Sequence, residues 1–295
     1  MLSHEQIERY REDGYILVEK LLDDEIIAGL RHATDEFVDQ SRTVAASDNV
    51  FDLDPSHTAV TPCLRRIKDP TLHHPAYDAL MRSDALLDII EALIGPSIRF
   101  DHAKLNFKPP GGGAAVEWHQ DWAFYPHTND DLLAIGVMLD DCSDENGPLL
   151  AMPGSHKGPV WDHHADGYFC GALDPAATDL DFNGARALTG PAGSVSIHHA
   201  RTVHGSRENL SPSPRRLLLL CYAATDAWPL MGSHDHRTMD LDAFDAKILR
   251  GAATLAPRIV PTPIRIPLPR PRQEGSIYEN QSPVEGRSFG EAATR

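Results

Sequence analysis

The chain has 295 residues, is 41% hydrophobic, and sets 27 lysines and arginines against 43 aspartates and glutamates, a formal net charge of -16. That length suits one large domain or two small ones, and the apolar share is enough for a sizeable core. The acidic balance argues against nucleic acid or an anionic membrane as partner, because both need a basic face; a local basic pocket for a small anion stays possible.

Ser3 and Gln6 make a capping box for a helix over 3–13, ended by Gly14. Tyr15 to Val18 reads as a short strand, and the spacing from Ile26 to Val38 predicts a helix over 24–39. Residues 41–63 have no period and read as loop. Apolar residues from Tyr77 to Leu93 predict a helix over 76–94, stopped by Gly95-Pro96. After Pro96 the texture turns to short strands. Ile98 to Lys108 alternates, with Ile98, Phe100, His102, Lys104 and Asn106 on one face. The run Pro109 to Gly113 is a breaker loop without a phosphate-binding pattern. Strands follow at Trp118–Trp122, Leu132–Leu139, Pro148–Pro153, Gly193–His199 and Leu217–Ala223. Residues 158–190 lack periodicity and are expected to form a lid. Proline is frequent from Pro257 on, which predicts extended, poorly packed chain.

This order predicts one domain over 1–295. It has a mainly helical layer at 1–95, a double-sheet β-roll at 96–226 and a C-terminal extension at 227–295. Cys63, Cys142, Cys170 and Cys221 are scattered with no C-x-x-C pair, the pattern of reduced thiols in a cytoplasmic protein. No signal core and no run of membrane-spanning length is present in the sequence.

His119 and Asp121 flank Gln120, and in an extended strand residues i and i+2 share a face. His204, in Val203-His204-Gly205-Ser206, is the third candidate ligand. Two histidines and a carboxylate are the ligand set of non-haem Fe(II) oxygenases. Eleven positions on, Arg215 heads an apolar strand, where a buried guanidinium is costly unless it meets an anion. Its planar fork suits a carboxylate. A metal-chelating 2-oxo acid with a second carboxylate, 2-oxoglutarate, would bridge the two features. Arg216, on the opposite strand face, is expected to pair with a structural acid.

The sequence resembles the phytanoyl-CoA dioxygenase family of Fe(II)/2-oxoglutarate oxygenases, which includes ectoine hydroxylase. The matching stretches are Arg9–Tyr15, His119-Gln-Asp121 with Phe124-Tyr-Pro126, Asn146-Gly-Pro148 to Pro153-Gly-Ser-His-Lys157, and His204-Gly-Ser206 with Arg215. The resemblance implies a double-stranded β-helix, or jelly roll. It implies His119, Asp121 and His204 as iron ligands and Arg215 as partner of the distal carboxylate of 2-oxoglutarate. By position Ser206 matches a second contact to that carboxylate, Asn106 a contact at the chelating end, and Gln120 a co-substrate contact. An aromatic of some relatives is here Val137, which leaves one wall of that pocket in question.

The expected activity is hydroxylation of an unactivated C–H bond of a small molecule, with 2-oxoglutarate and O2 converted to succinate and CO2. Trp122, Tyr125, Lys104 and His199 are the candidate substrate contacts. Residues 41–75 and 158–190 are expected to shape the pocket, and Arg65, Arg66, Lys68 and Lys104 offer positive charge to an anionic substrate. The competing readings are a halogenase, which Asp121 argues against, a catalytically silent binding member of the fold, and a zinc hydrolase on the same three ligands.

Overall fold

The N-terminal helix α1 (His4–Asp13) starts on the predicted box: Gln6 N donates to Ser3 Oγ at 3.2 Å and Ser3 N to Gln6 Oε1 at 2.8 Å. Its C-cap Gly14 has φ 82, and a Cβ there would meet the His156 ring at 2.4 Å and Thr202 Oγ1 at 2.6 Å. Only glycine fits so close an approach. The Gly14 carbonyl accepts from His199 N and Thr202 Oγ1, both at 2.8 Å, which fixes α1 onto the turn that leads into His204. In this computed structural model the described residues are 1–232, 240–272, 275–284 and 287–289; the remainder of the 227–295 extension lies outside them.

β1 (Tyr15–Val18) and α2 (Asp24–Ser41), capped by Asp23, follow as expected. The stretch expected to be loop contains β2 (Phe51–Leu53) and runs into β3 (Leu64–Lys68). Strands so short carry no alternation to read. α3 (Pro70–His73) comes next, and the single helix expected over 76–94 is two, α4 (Pro75–Met81) and α5 (Asp84–Ile94). Ser83, extended at φ -68 and ψ 140, starts α5 as its N-cap residue. Leu86, Leu87, Ile89, Ile90 and Ile94 of α5 are buried. Each such side chain contributes roughly 1.5–3 kcal/mol.

β4 (Ile98–Lys108) pairs with β13 (Arg215–Ala224) further on. Between the pairs Leu220↔Ala103 and Tyr222↔Phe100, two residues of β4 face one of β13, a bulge. It reverses the faces: Ile98 and Phe100 join Ala103 and Leu105 in the helix-facing core, while His102, Lys104, Asn106 and Lys108 line the interior cavities. The single continuous alternation expected across β4 is thus broken in the middle. β5 (Val116–His119) ends before Asp121, which opens a short 3-10 turn, Asp121–Ala123. The strand expected over Trp118–Trp122 stops early.

β6 (Leu132–Met138) and β7 (Leu149–Ala151) precede the segment 158–190. That segment holds β8 (His164–Ala165), β9 (Tyr168–Phe169) and β10 (Arg186–Leu188). β11 (Val195–His199) and β12 (His204–Ser206) follow, and after β13 come α6 (Leu241–Asp245), β14 (Ile248–Arg250) and α7 (Ile277–Asn280). The large sheet runs β1-β11-β6-β13-β4-β3-β2 with β14 on β4, and the small sheet runs β10-β7-β12-β5. This is the jelly roll, with the helices packed on the outer face of the large sheet. Val137 is fully buried in that helix-facing core, so it is no wall of the interior pocket.

The proline-rich stretch is extended and mostly exposed as expected, with Ile259, Ile264, Ile266 and Leu268 all exposed, but backbone and side-chain hydrogen bonds tie the extension to the roll. Pro263 O accepts from Trp122 Nε1 at 2.9 Å and Pro269 O from Phe169 N at 2.8 Å. Gln281 Oε1 accepts from Glu117 N at 2.9 Å, and Glu117 caps Ser288 N and Phe289 N at 2.8 and 3.2 Å. Among the described residues no helix is long and apolar enough to cross a membrane, and the four cysteines are free.

Candidate active site

β12 is the strand that assembles the site. It pairs with β5 so that His204 sits opposite His119, and their rings lie 4.1 Å apart. Gln120 stays extended at φ -117 and ψ 126, so Asp121 returns to the face of His119 although the strand has ended. Asp121 Oδ1 lies 3.9 Å from His119 Nε2 and Oδ2 lies 4.0 Å from His204 Nε2. One ligand atom from each of the three residues falls within 4.8 Å of the others, and all three residues are buried.

The tautomers suit a metal. His119 Nδ1 bonds Glu117 O at 2.8 Å and His204 Nδ1 bonds Thr202 O at 2.9 Å. Each carbonyl takes the Nδ1 proton, which leaves the Nε2 lone pair facing Asp121. Burial lowers the His119 pKa to about 4, and burial with the neighbouring His119 and His198 holds His204 well below the usual range. Burial alone would raise Asp121, but Lys104, His198 and His204 hold it well below the ordinary carboxylate range. Two neutral imidazoles and one ionised carboxylate fit a divalent cation.

Arg215 is buried at the head of β13, on the same face as Leu217 and Leu219, opposite Lys108, Asn106 and Lys104. Nε donates to Gly147 O at 3.0 Å, and Nη2 shares that carbonyl. Among the described residues no carboxylate lies in salt-bridge range of Arg215. The Asn146-Gly-Pro148 motif builds this seat. Asn146 closes the turn through Ser143 N at 2.9 Å and Asp141 O at 2.7 Å, and a Cβ on Gly147 would meet Arg207 O at 2.5 Å. Arg215, Lys108, Ser206 and Asn106 share one inner chamber with His119 and His204. Asn106 Oδ1 already accepts from Arg66 Nε at 3.1 Å. Arg216 pairs with Asp140 through two bonds of 2.9 and 2.7 Å.

A larger cavity of about 800 Å³ opens on the other side of Asp121. Arg65, Arg66, Lys68 and Lys104 all reach it, as do His102 and Tyr125. Lys104 Nζ is 4.0 Å from Asp121 Oδ1. The opposite wall comes from Ser276, Ile277, Glu279 and Asn280 of the extension. No residue of 158–190 lines it, so the expected lid does not cover this cavity.

Three further expectations are corrected. Trp122 is fully buried with Leu132, Ala200 and Ala223, so it is core and not cavity wall. His199 points away from the metal ligands, with Nδ1 accepting from Arg201 N at 3.0 Å and Nε2 3.9 Å from Asp130. Gln120 spends its amide on backbone, donating to Arg201 O at 2.8 Å and Pro159 O at 3.1 Å and accepting from Trp161 N at 3.1 Å. It ties the 158–190 segment to the site and has no N–H left to donate to a co-substrate. Two residues of the site, His198 and Lys108, are not among those expected from the sequence. Strand alternation offers both: His198 neighbours His199 on the other face, and Lys108 continues the row Lys104, Asn106.

The donor set is that of non-haem iron oxygenases, and comparison with known proteins places the chain among them. The profile of the family Phytanoyl-CoA dioxygenase (PhyH) matches residues 10–217. The chain is 39% identical over 281 residues to a probable alpha-ketoglutarate-dependent hypophosphite dioxygenase of Stutzerimonas stutzeri, covering 94% of this chain and 96% of the other. It is 29% identical over 238 residues to the ectoine dioxygenase of Bordetella parapertussis, 75% of each. The crystal structure of EctD from S. alaskensis with 2-oxoglutarate and 5-hydroxyectoine superposes with a TM-score of 0.64 at 26% identity, over 76% of this chain and 77% of that one. The chain belongs to the phytanoyl-CoA dioxygenase family. It is a 2-oxoglutarate-dependent dioxygenase, with iron and 2-oxoglutarate as its cofactors.

Proposed function

We propose that the chain hydroxylates a small organic anion, with the negative group of the substrate held by Lys104 and Arg66. The observation that carries this reading is the cavity of about 800 Å³ that opens onto Asp121 and is walled by four cationic side chains. Of these, Arg65 is taken up by Asp54 at 3.4 Å and by Glu279, and Lys68 Nζ by Asp48 O at 2.6 Å. Lys104 remains on the side of the metal ligands, as does Arg66, whose Nε is bonded to Asn106 Oδ1 at 3.1 Å but whose guanidinium meets no carboxylate within salt-bridge range among the described residues.

In this reading His119, Asp121 and His204 hold the iron. Arg215, with Ser206 and Lys108, takes the distal carboxylate of 2-oxoglutarate, and the cost of burying the Arg215 guanidinium without an acid is offset when that anion arrives. Iron, when bound with 2-oxoglutarate and O2, supplies the oxidising power that turns C–H into C–OH as 2-oxoglutarate becomes succinate and CO2. The chain's own work is to keep both imidazoles neutral, to hold the two anions on separate cations, and to exclude water from the inner chamber. Free thiols support a cytoplasmic setting.

A second reading has a specific observation behind it: the relative sharing 39% identity over nearly the whole chain is named for hypophosphite. The substrate would then be an inorganic P–H oxyanion on the same two cations. The cavity is at the large end of small-molecule sites, roughly 300–1,000 Å³, which favours an organic anion. The test is succinate formation and O2 uptake with panels of carboxylates, organophosphonates and hypophosphite. Turnover with an organic anion supports the proposal, turnover with hypophosphite alone supports the second reading, and O2-independent hydrolysis would overturn both.

A further inference from the structure

His198 is fully buried on the inner face of β11. Its Nε2 lies 3.4 Å from Asp121 Oδ2, and its ring centroid is 4.3 Å from that of His204. Its Nδ1 is buried and, among the described residues, has no hydrogen-bond partner. That combination is costly for folding alone, since an unsatisfied buried nitrogen costs about 1–3 kcal/mol and an apolar ring of the same shape would avoid it. The hydrogen bond the ring does make is the one to Asp121.

The two oxygens of Asp121 face different partners. Oδ1 faces His119 Nε2 at 3.9 Å and Lys104 Nζ at 4.0 Å, whereas Oδ2 faces His198 at 3.4 Å and His204 at 4.0 Å. Asp121 sits in a single 3-10 turn, not on a strand, so the backbone leaves its carboxylate less constrained than the two histidines on paired strands. We propose that His198 is a positioning residue: its Nε2–H fixes the plane of the Asp121 carboxylate so that one oxygen is presented to the metal between His119 and His204. This rests on the metal-site reading above.

Partners that orient metal ligands typically contribute about 10–100-fold to metal affinity. The experiment measures Co(II) binding to the full chain by titration of its visible absorption, alongside thermal unfolding of the metal-free protein. His198→Phe keeps the shape and removes the donor; His198→Gln restores an N–H at similar reach. The expected result is Co(II) affinity lowered about 10–100-fold in His198→Phe, recovered in part in His198→Gln, with the metal-free Tm of His198→Phe equal to or above that of the wild type. A purely structural histidine would show the opposite, a lower Tm at unchanged Co(II) affinity. Equal Co(II) affinity in wild type and His198→Phe, or an equal loss in both variants, overturns the proposal. If His119→Ala binds Co(II) as the wild type does, the metal-site reading itself fails, and that outcome is distinct from failure at His198.

Discussion

The inner chamber and the outer cavity share Arg66, Lys104 and Ile277 in their walls but are otherwise built differently. The inner chamber rests on paired strands: His204 opposes His119, Arg215 opposes Lys108, and Leu217 opposes Asn106. Most of its lining lies within the 10–217 region matched by the family, with Leu219, Ile277 and Tyr278 beyond it. The outer cavity adds residues 47–69 and, beyond that region, 275–280 of the extension to a base formed by His102, Lys104, Asp121 and Tyr125. The candidate metal ligands on β5 and β12 and Arg215 thus sit where strand register fixes them, and much of the outer wall sits on loops and the extension, where chain can vary without disturbing the roll. The reaction machinery and substrate choice should therefore separate under mutation.

The largest effect is expected at the metal ligands. Asp121→Ala removes the one anionic ligand and should abolish O2 uptake and Co(II) binding, with the fold retained by circular dichroism. Persistent Fe(II)-dependent turnover would show that the carboxylate lies elsewhere.

Next comes a change confined to the inner chamber. If Arg215 holds the distal carboxylate as proposed, Arg215→Ala leaves that anion unpartnered, at about 3–5 kcal/mol, or roughly 100- to several-thousand-fold in the 2-oxoglutarate requirement. The substrate KM should change little. Arg216→Ala, whose guanidinium is taken by Asp140, should lower Tm and spare the 2-oxoglutarate requirement. A reversed pattern between the two would place the clamp on Arg216.

The reciprocal change is Lys104→Gln, at a residue that lines both compartments and is proposed to serve the substrate. Loss of one charged partner of a partly exposed anion is expected to raise the substrate KM about tenfold, equal to about 1.4 kcal/mol, with the 2-oxoglutarate KM within twofold. If both constants rise together, the two compartments are not separate and Lys104 serves the co-substrate as well.

The same division explains what is legible in the sequence. The ligands, Arg215 and the turn at Asn146-Gly147 lie on strand ends and tight turns, where residue type is dictated by geometry. Helix starts are readable from caps, as at Ser3 and Asp23. β2 and β3 are not, because strands of three and five residues show no period. His199 and His198 cannot be told apart by pattern, because adjacent strand residues differ only in face, and the face depends on pairing that the sequence does not state. The bulge beside Ala103 reverses the faces of β4 for the same reason. Nothing local in Gly275–Asn280 signals that chain about 60 residues past Arg215 folds back as a wall.

The smallest expected effect on turnover tests how firmly the two compartments are tied to the 158–190 segment, through His163. Its Nε2 accepts from Gln120 N at 2.9 Å and its Nδ1 bonds Trp161 O at 2.8 Å. This requires the neutral ring. Burial, with the nearby His119, lowers its pKa to about 3, against the usual 6.5. In the unfolded chain the ring charges near its ordinary value, so between about pH 6.5 and 3 the unfolded state binds more protons and stability rises with pH. The contribution of His163 is complete above pH 6.5 and is lost as pH falls toward 3. It should amount to a few kcal/mol, at about 1.4 kcal/mol for each tenfold change in proton affinity. His163→Gln keeps an acceptor for Gln120 N and removes the titration. Urea midpoints of the metal-free protein from pH 7 to pH 4 should fall less steeply in the variant, though not flatten, since His199 is also lowered to about 3 by burial. Turnover at pH 7 should be within a few-fold of the wild type. Parallel midpoint curves would show that the segment is not held by a neutral His163.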